Sequence, residues 1–164
     1  MQNFTYKLIE DGTYCVTTYQ GDEETVVIPD NQNITILYDD LFKGHSEIAS
    51  VHIPDTVTDI GEFVFDGCVN LRHITLPAQL ENLWGHTFTR SGIEEITLPD
   101  RVRSIPPFAF KDCRQLKKVV CSPGLKKIHA WAFGGCSQLE TVVHGPDVEV
   151  SPQAYVSKEQ GRCW

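Results

Sequence analysis

Residues 50–72 read SVHIPDTVTDIGEFVFDGCVNLR. The same pattern returns three times, as HITLPAQLENLWGHTFTRSGIE (73–94), EITLPDRVRSIPPFAFKDCRQLK (95–117) and KVVCSPGLKKIHAWAFGGCSQLE (118–140). The four copies are 23, 22, 23 and 23 residues long, within a chain of 164 residues. A period of this length predicts a solenoid, in which each repeat forms one coil that packs against its neighbours.

Apolar residues recur at fixed positions of every repeat. Two of them, separated by one variable residue, open each repeat and predict a strand with one buried face. Pro54, Pro77 and Pro99 follow, and because proline lacks a backbone N–H they end the strand at the same place in each coil. We therefore expect a curved parallel β-sheet, an irregular or 3-10 helical convex side and little α-helix. A phenylalanine column is expected inside, at Phe42, Phe65, Phe88, Phe110 and Phe133.

The first part of the sequence predicts a cap. Residues 6–9 and 14–17 flank an Asp-Gly pair at 11–12, which is a strong signal for a β-hairpin. Residues 1–24 are therefore expected to form an N-terminal hairpin cap that covers the open edge of the sheet. The solenoid itself is expected to span residues 25–145 in five to six coils, the first of them a degenerate copy.

The end of the sequence departs from the pattern. A further copy starts at Thr141 and decays, so residues 146–164 are expected to form a degenerate last coil or C-terminal cap. In this coil Val156 takes the place of the column phenylalanine. His144 takes the place of an inward apolar residue and is predicted to face inward near Cys121.

The repeat resembles the BspA-like family of leucine-rich repeats, most closely at residues 53–71 and 98–116, and residues 4–21 resemble that family's N-terminal hairpin. The resemblance implies a leucine-rich repeat solenoid that binds proteins, in a bacterial protein at the cell surface or secreted. Residues 1–6 contain neither the basic nor the apolar region of a secretory signal. From the residues alone we expect the protein to stay in the cell, or a signal to have been removed.

The charge is unevenly distributed along the chain. The net charge is −8, and nucleic acid is not an expected partner, because binding to phosphates favours a basic protein. Residues 1–82 contain 14 acids against 3 Lys/Arg (net −11), whereas residues 83–164 contain 8 against 11 (net +3). No stretch is long and apolar enough to predict a membrane span.

The sequence predicts no enzyme, cofactor or metal site. It contains no G-x-S-x-G or H-E-x-x-H motif, no glycine-rich phosphate loop and no C-x-x-C pair. Cys68, Cys113 and Cys136 share one repeat position and are interpreted as buried thiols, with a Cys113–Cys136 disulfide as the alternative. Cys163, near the end of the sequence, is expected to be exposed and reactive, and Cys15 to be intermediate.

Three sets of residues are candidates for binding. The first, the concave stripe, has one outward residue from each strand: Val27, His52, Thr75, Thr97, Val120 and Val143. Extended stripes of this kind are common binding surfaces of solenoids, although such a ladder of largely β-branched residues also stabilises a sheet without binding anything.

The second set, the aromatic row, precedes the column phenylalanines by two residues, and half-exposed packing is its simplest interpretation: Phe63, His86, Phe108 and Trp131. The third, the basic set, comes from a segment rich in positive charge: Arg101, Arg103, Lys117, Lys118, Lys126 and Lys127. The basic set is either an electrostatic docking patch or a solvated face.

These observations lead to two hypotheses of different classes. The first is a non-catalytic scaffold that binds a protein or an extended polymer over the concave stripe. The second is a structural module that self-associates. The acidic front of one copy (residues 1–82) could contact the basic rear of another (residues 83–164), head to tail. Alternatively, two copies could pair across a two-fold axis through the edge strand near Val142–Val143.

Overall fold

The computed structural model describes residues 2–157 and 162–163, with the side chains of residues 2–155. These residues form short β-strands joined by turns and contain no helix. β1 (Asn3–Leu8) and β2 (Tyr14–Gln20) form the predicted antiparallel hairpin. The turn between them contains Gly12, whose φ of 83° lies in the left-handed region that favours glycine.

The coils of the solenoid each contribute up to two strands. The first strands are β3 (Thr25–Val27), β5 (Ser50–His52), β8 (Glu95–Thr97), β10 (Lys118–Val120) and β12 (Thr141–Val143). The second strands are β4 (Ile34–Leu37), β6 (Asp59–Ile60), β7 (Asn82–Leu83), β9 (Ser104–Ile105), β11 (Lys127–Ile128) and β13 (Glu149–Val150). An antiparallel pair, β14 (Val156–Ser157) and β15 (Arg162–Cys163), follows the last coil. The division of the chain into cap, solenoid and last coil stays a prediction.

The first strands form the predicted parallel sheet, but it is interrupted. β3 pairs with β5, and β8 pairs with β10 and then β12, all in parallel. Residues 73–76, which occupy the equivalent position between β5 and β8, are not a strand. The sheet is therefore divided into a two-stranded part and a three-stranded part.

The second strands form parallel sheets that the sequence did not predict. β4, β6 and β7 pair in order, as do β9, β11 and β13. The hairpin joins the first of these sheets, because β2 pairs in parallel with β4. The hairpin therefore covers the edge of the second-strand sheet.

The convex side consists of turns, with no 3-10 helix in the described part of the chain. Most coils place two residues there in the left-handed region, at φ between 56° and 79°. At one of the two positions, three of the five coils have a glycine, which relieves the steric cost of this conformation. The residues there are Gly44, Gly67, Arg90, Asp112 and Gly135. The other position is never glycine: Asp40, Phe63, His86, Phe108 and Trp131.

The 22-residue coil is closed by Gly92. Its N–H donates to the carbonyl of Cys68 in the preceding coil at 3.0 Å. A Cβ at Gly92 would lie 2.8 Å from the carbonyl carbon of Val69 and 3.2 Å from the carbonyl oxygen of Leu71. Only a residue without a side chain allows the backbones to approach this closely, so glycine makes the one-residue deletion possible.

The aromatic column runs through the core as predicted. Successive phenylalanine rings stack with centroids 5.1–5.6 Å apart, and each is fully buried. The assignment of Val156 to this column is wrong, because Tyr155 stacks on Phe133 at 5.3 Å. The step from Phe133 to Tyr155, like that from Phe88 to Phe110, is 22 positions instead of 23, so the last ring comes one residue earlier than expected.

The prediction that His144 faces inward is also wrong. His144 is exposed, and its Nδ1 lies 2.7 Å from the carbonyl oxygen of the adjacent Gly145. Cys121, at the same position one coil earlier, is buried. In the described residues no further first strand pairs with β12 to cover this position.

Candidate functional site

The concave stripe lies on the open face of the first-strand sheet. The parallel register places Val27 beside His52, and Thr97 beside Val120 and then Val143. Val120 is half-buried and the other members are exposed. The stripe itself contains no Asp, Glu, Lys or Arg, but the same outward face also carries Ser50, Glu95 and Lys118, two residues before His52, Thr97 and Val120.

The stripe widens into a groove of about 840 Å³ at the interruption of the sheet. Among the described residues, the backbone N–H and C=O groups of residues 73–76 have no hydrogen-bond partner. Ile74 is half-buried, whereas its equivalents Val51 and Ile96 are buried. The groove therefore exposes part of the hydrophobic core at Ile74 together with backbone donors and acceptors that are not paired within the sheet. Asp55 and Glu95 are also part of its lining.

The structure does not bring the basic set together as one patch. Lys118 is the first residue of β10, on the first-strand sheet, and Lys117 directly precedes it. Arg103 precedes β9, and its carbonyl accepts a hydrogen bond from the N–H of Lys126, just before β11. This separation places members of the basic set on two sheets.

Two members of the basic set form surface ion pairs. Arg101 Nη1 lies 3.6 Å from Glu81 Oε1, and Lys127 Nζ lies 3.4 Å from Glu149 Oε1. Exposed pairs of this kind contribute about 1 kcal/mol or less to stability. They also reduce the positive charge that these two side chains offer to a partner.

The aromatic row is partly buried, as interpreted, and its rings stack. His86 lies between Phe63, at a centroid distance of 4.5 Å, and Phe108, at 4.7 Å. Trp131 follows Phe108 at 6.3 Å. Left-handed backbone is unfavourable for such residues by about 1–2 kcal/mol each, and the stacking offsets part of that cost.

Burial lowers the pKa of His86 below its usual 6.5, and the positive charge of Lys111 lowers it further. As the pH falls through about 6.5, the unfolded chain takes up a proton at His86 before the folded chain does, so the protein should lose stability. His86→Phe removes this titration, and phenylalanine already occupies the equivalent position in both neighbouring coils. The variant should therefore lose less stability than the wild type between about pH 7 and pH 5.

Urea unfolding at both pH values measures this difference, with a reference near pH 8, where the wild-type side chain is neutral in both states. An equal loss of stability in the two proteins would show that His86 does not contribute to the acid sensitivity.

Sequence reasoning missed a second groove, which lies on the second-strand sheet and has a volume of about 790 Å³. Tyr38 and Trp84 line it and are 54% and 52% exposed. The available signal was the single tryptophan at a repeat position occupied by Gly61, Pro106 and His129 in the neighbouring coils. The tryptophan lines a groove only because the second strands pair into a sheet, and this pairing was not predicted.

The cysteines in the described side chains are free and buried. Cys113 and Cys136, the alternative disulfide, are among them, and Cys15 is only 4% exposed. The side chain of Cys163 lies outside the described residues. The described residues contain no group of three or more His, Cys, Asp or Glu that could hold a metal ion.

The three ladder thiols donate to backbone carbonyls of the preceding coils. Their donor–acceptor distances are 3.2 Å for Cys68 to Phe42, 2.9 Å for Cys113 to Phe88 and 3.0 Å for Cys136 to Phe110. Burial raises the pKa of Cys68 and of Cys113 to about 12 and that of Cys136 well above its usual range. The three thiols are therefore packed in the hydrophobic core, and their pKa values are too high for a nucleophilic cysteine.

The family described as BspA type Leucine rich repeat region matches residues 35–159 in six copies. The chain belongs to this family. The resemblance drawn from the repeat sequence is thereby confirmed. Proteins built from leucine-rich repeats are generally interaction scaffolds and typically are not enzymes. The described part of this BspA-type chain contains no helix that could cross a membrane.

Solved structures of leucine-rich repeat proteins have the same fold. The T. pallidum leucine-rich repeat protein is 26% identical with a TM-score of 0.71, and the match covers 90% of this chain and 82% of that one. A Bacteroides ovatus protein is 25% identical with a TM-score of 0.63, covering 87% and 46%. A leucine-rich cell surface protein of Faecalibacterium prausnitzii is 21% identical with a TM-score of 0.63, covering 91% and 55%. This chain thus spans about half the length of the last two. No curated protein matches it.

Proposed function

We propose that this BspA-type chain is a non-catalytic scaffold that binds a protein, or another extended polymer, over the concave stripe. The observation that carries the proposal is the groove at residues 73–76, where the exposed stripe meets backbone groups without hydrogen-bond partners. A partner that enters the groove can hydrogen-bond to these donors and acceptors while its other side chains contact the stripe.

The location of the protein is part of the same proposal. Membership of the BspA-type family favours a bacterial protein at the cell surface or secreted. A scaffold there would meet partners as folded proteins or extended chains, for which the row of stacked coils offers an extended surface.

Replacing three exposed stripe residues by arginine, in the variant His52→Arg/Thr75→Arg/Thr97→Arg, should abolish capture of the partner. Three bulky charges on adjacent coils would obstruct the groove and oppose its desolvation. Exposed substitutions of this kind should each change the free energy of unfolding by about 0.5 kcal/mol or less. The measurement is affinity capture from the native milieu, comparing proteins enriched on the wild type and on the variant, with circular dichroism as the check of folding.

The matched control carries the same three charges on the turn side of the coils, as Val69→Arg/Gln115→Arg/Ser137→Arg. All three positions are exposed. This control should retain the proteins captured by the wild type. Equal enrichment on the wild type and on a folded stripe variant would eliminate the concave stripe as the binding site.

The alternative function is self-association, and the exposed edge of the first-strand sheet favours it. β12 is a terminal strand of its sheet among the described residues, and Val143 on it is 47% exposed. Light scattering at low and high salt tests this alternative. A head-to-tail contact between acidic front and basic rear should weaken as salt rises, whereas apolar pairing at β12 should not. A monomer under all conditions would exclude both contacts.

A further inference from the structure

The groove on the second-strand sheet is a slot between two aromatic side chains. Leu37 pairs with Ile60, which pairs with Leu83, and the next residues, Tyr38, Gly61 and Trp84, therefore occupy the same position of successive coils. Parallel strands lie about 4.8 Å apart, so the backbones at Tyr38 and Trp84 are about 10 Å apart. Gly61 lies between them without a side chain, so the two rings border an opening.

Gly61 is held in this place by backbone contacts. Its N–H donates to the carbonyl of Leu37 at 2.9 Å. A Cβ at Gly61 would clash with the Asp39 carboxylate, which lies over this glycine, and would lie 2.9 Å from the backbone nitrogen of Asp39 and 3.0 Å from the carbonyl oxygen of Leu37. The close packing of these two coils therefore excludes a side chain at the one position that would fill the opening.

Three carboxylates and one cation, Lys7, line the same groove. Asp39 Oδ1 accepts the N–H of Glu62 at 2.8 Å. Asp59 accepts from Asn82 at 3.0 Å and from Thr58 at 2.6 Å. These bonds orient the two aspartates, and each carboxylate retains further acceptor capacity, because one can accept about four hydrogen bonds.

We propose that this slot binds an arginine side chain of a partner polypeptide. The guanidinium would lie between the rings of Tyr38 and Trp84, since cations bind aromatic faces and the planar guanidinium stacks on them. Its N–H groups would donate to Asp39, Asp59 or Glu62. Charge selects arginine over a neutral ligand, because the lining is acidic and residues 1–82 have a net charge of −11 (3 Lys/Arg against 14 acids). The slot lies on a different sheet from the concave stripe, so the proposal does not depend on the stripe.

The test uses the full chain, labelled with ¹⁵N, and the blocked peptide acetyl-Gly-Gly-Arg-Gly-Gly-amide. Addition of the peptide should shift the indole N–H signal of Trp84, with a dissociation constant on the order of 1 mM. The same peptide with citrulline, which is nearly isosteric but uncharged, should bind at least about tenfold more weakly. Higher salt should also weaken binding of the arginine peptide, because it screens the attraction between the charges.

Variants of the slot locate the binding. Trp84→Ala lacks the indole reporter, so its binding is followed through the backbone N–H signals of Gly61 and Glu62, which lie in the same slot. Trp84→Ala and Tyr38→Ala should each weaken binding of the arginine peptide by about tenfold. Asp59→Asn/Glu62→Gln should weaken it by about fivefold. Val69→Ala, an exposed residue on the turn side, is the matched control and should bind as the wild type does. Because both aromatic residues are exposed, these variants should fold, and well-dispersed amide spectra would verify it.

Three results would overturn the proposal. The first is no shift of the Trp84 signal at about ten times the expected dissociation constant, and the second is equal binding of the arginine and citrulline peptides. The third is a shift with the neutral saccharide maltotriose but not with the arginine peptide, which would make the slot a sugar site. The stripe variant should bind the arginine peptide like the wild type, so failure of the concave-stripe proposal would not affect this test.

Discussion

Phe110→Ala is expected to lower the free energy of unfolding by about 3–5 kcal/mol. Phe110 is fully buried, and its ring stacks on Phe88 at 5.3 Å and on Phe133 at 5.4 Å. Truncation removes apolar surface from the core and leaves a cavity that these neighbours cannot close without disturbing the column. Because domains are typically stable by about 5–15 kcal/mol, the variant would be close to unfolding.

Chemical denaturation monitored by circular dichroism measures this loss. Trp84→Ala is the matched control, since it also removes a large aromatic side chain, but one that is 52% exposed. Its cost should be about 1 kcal/mol or less. Similar losses of stability in the two variants would show that the phenylalanine column is not a main source of the stability of the solenoid.

The second large effect is the chemical inertness of the cysteine ladder. Cys68, Cys113 and Cys136 should react with iodoacetamide at least about a thousandfold more slowly in the folded protein than an exposed thiol does, because the thiolate is the reacting form. At pH 8 a thiol with a pKa of about 12 is ionised in about one molecule in ten thousand, against about a quarter for an ordinary thiol. Burial also excludes the reagent, which slows the reaction further.

The same pKa shifts predict a loss of stability in alkali. Above about pH 9 the unfolded chain releases the thiol protons while the folded chain keeps them. The stabilisation from the buried neutral thiols is therefore complete below about pH 7.5 and decreases as the pH rises through the ordinary thiol pKa of about 8.5 toward the folded-state pKa of about 12. Other buried groups add to this alkaline loss, because burial also raises the pKa of Cys121 to about 11 and that of Tyr19 to about 12. The alkylation rates are therefore the measurement that isolates the three ladder residues.

Peptide mass mapping after timed alkylation of the reduced protein measures the rates. Ser137→Cys provides an exposed thiol one residue from Cys136 and should react at the rate of a free cysteine. Protein in denaturant, where every thiol should react quickly, verifies that the reagent is active. Fast labelling of Cys113 and Cys136 in folded protein would mean that the ladder is not in the core.

The repeat pattern alone is sufficient to predict the solenoid. The 23-residue period, the strand pattern before each proline and the Asp-Gly hairpin signal depend on neighbours close in the chain. Each coil packs only against the coils beside it, so a repeated local pattern is sufficient to specify the stacked column and the outward stripe. Phe110 and Thr97 were therefore placed correctly from the sequence.

Three features could be seen only in the folded chain: the interruption of the sheet at residues 73–76, the pairing of the second strands into further sheets, and the position of Tyr155, instead of Val156, at the end of the column. The folded chain also shows that Tyr38 and Trp84 border one slot. Each of these features depends on hydrogen bonds or ring contacts between residues more than twenty positions apart, and on one-residue differences in coil length. Period and composition do not encode such differences, because a shift of one residue changes which side chain meets its neighbour while the repeat pattern stays almost the same.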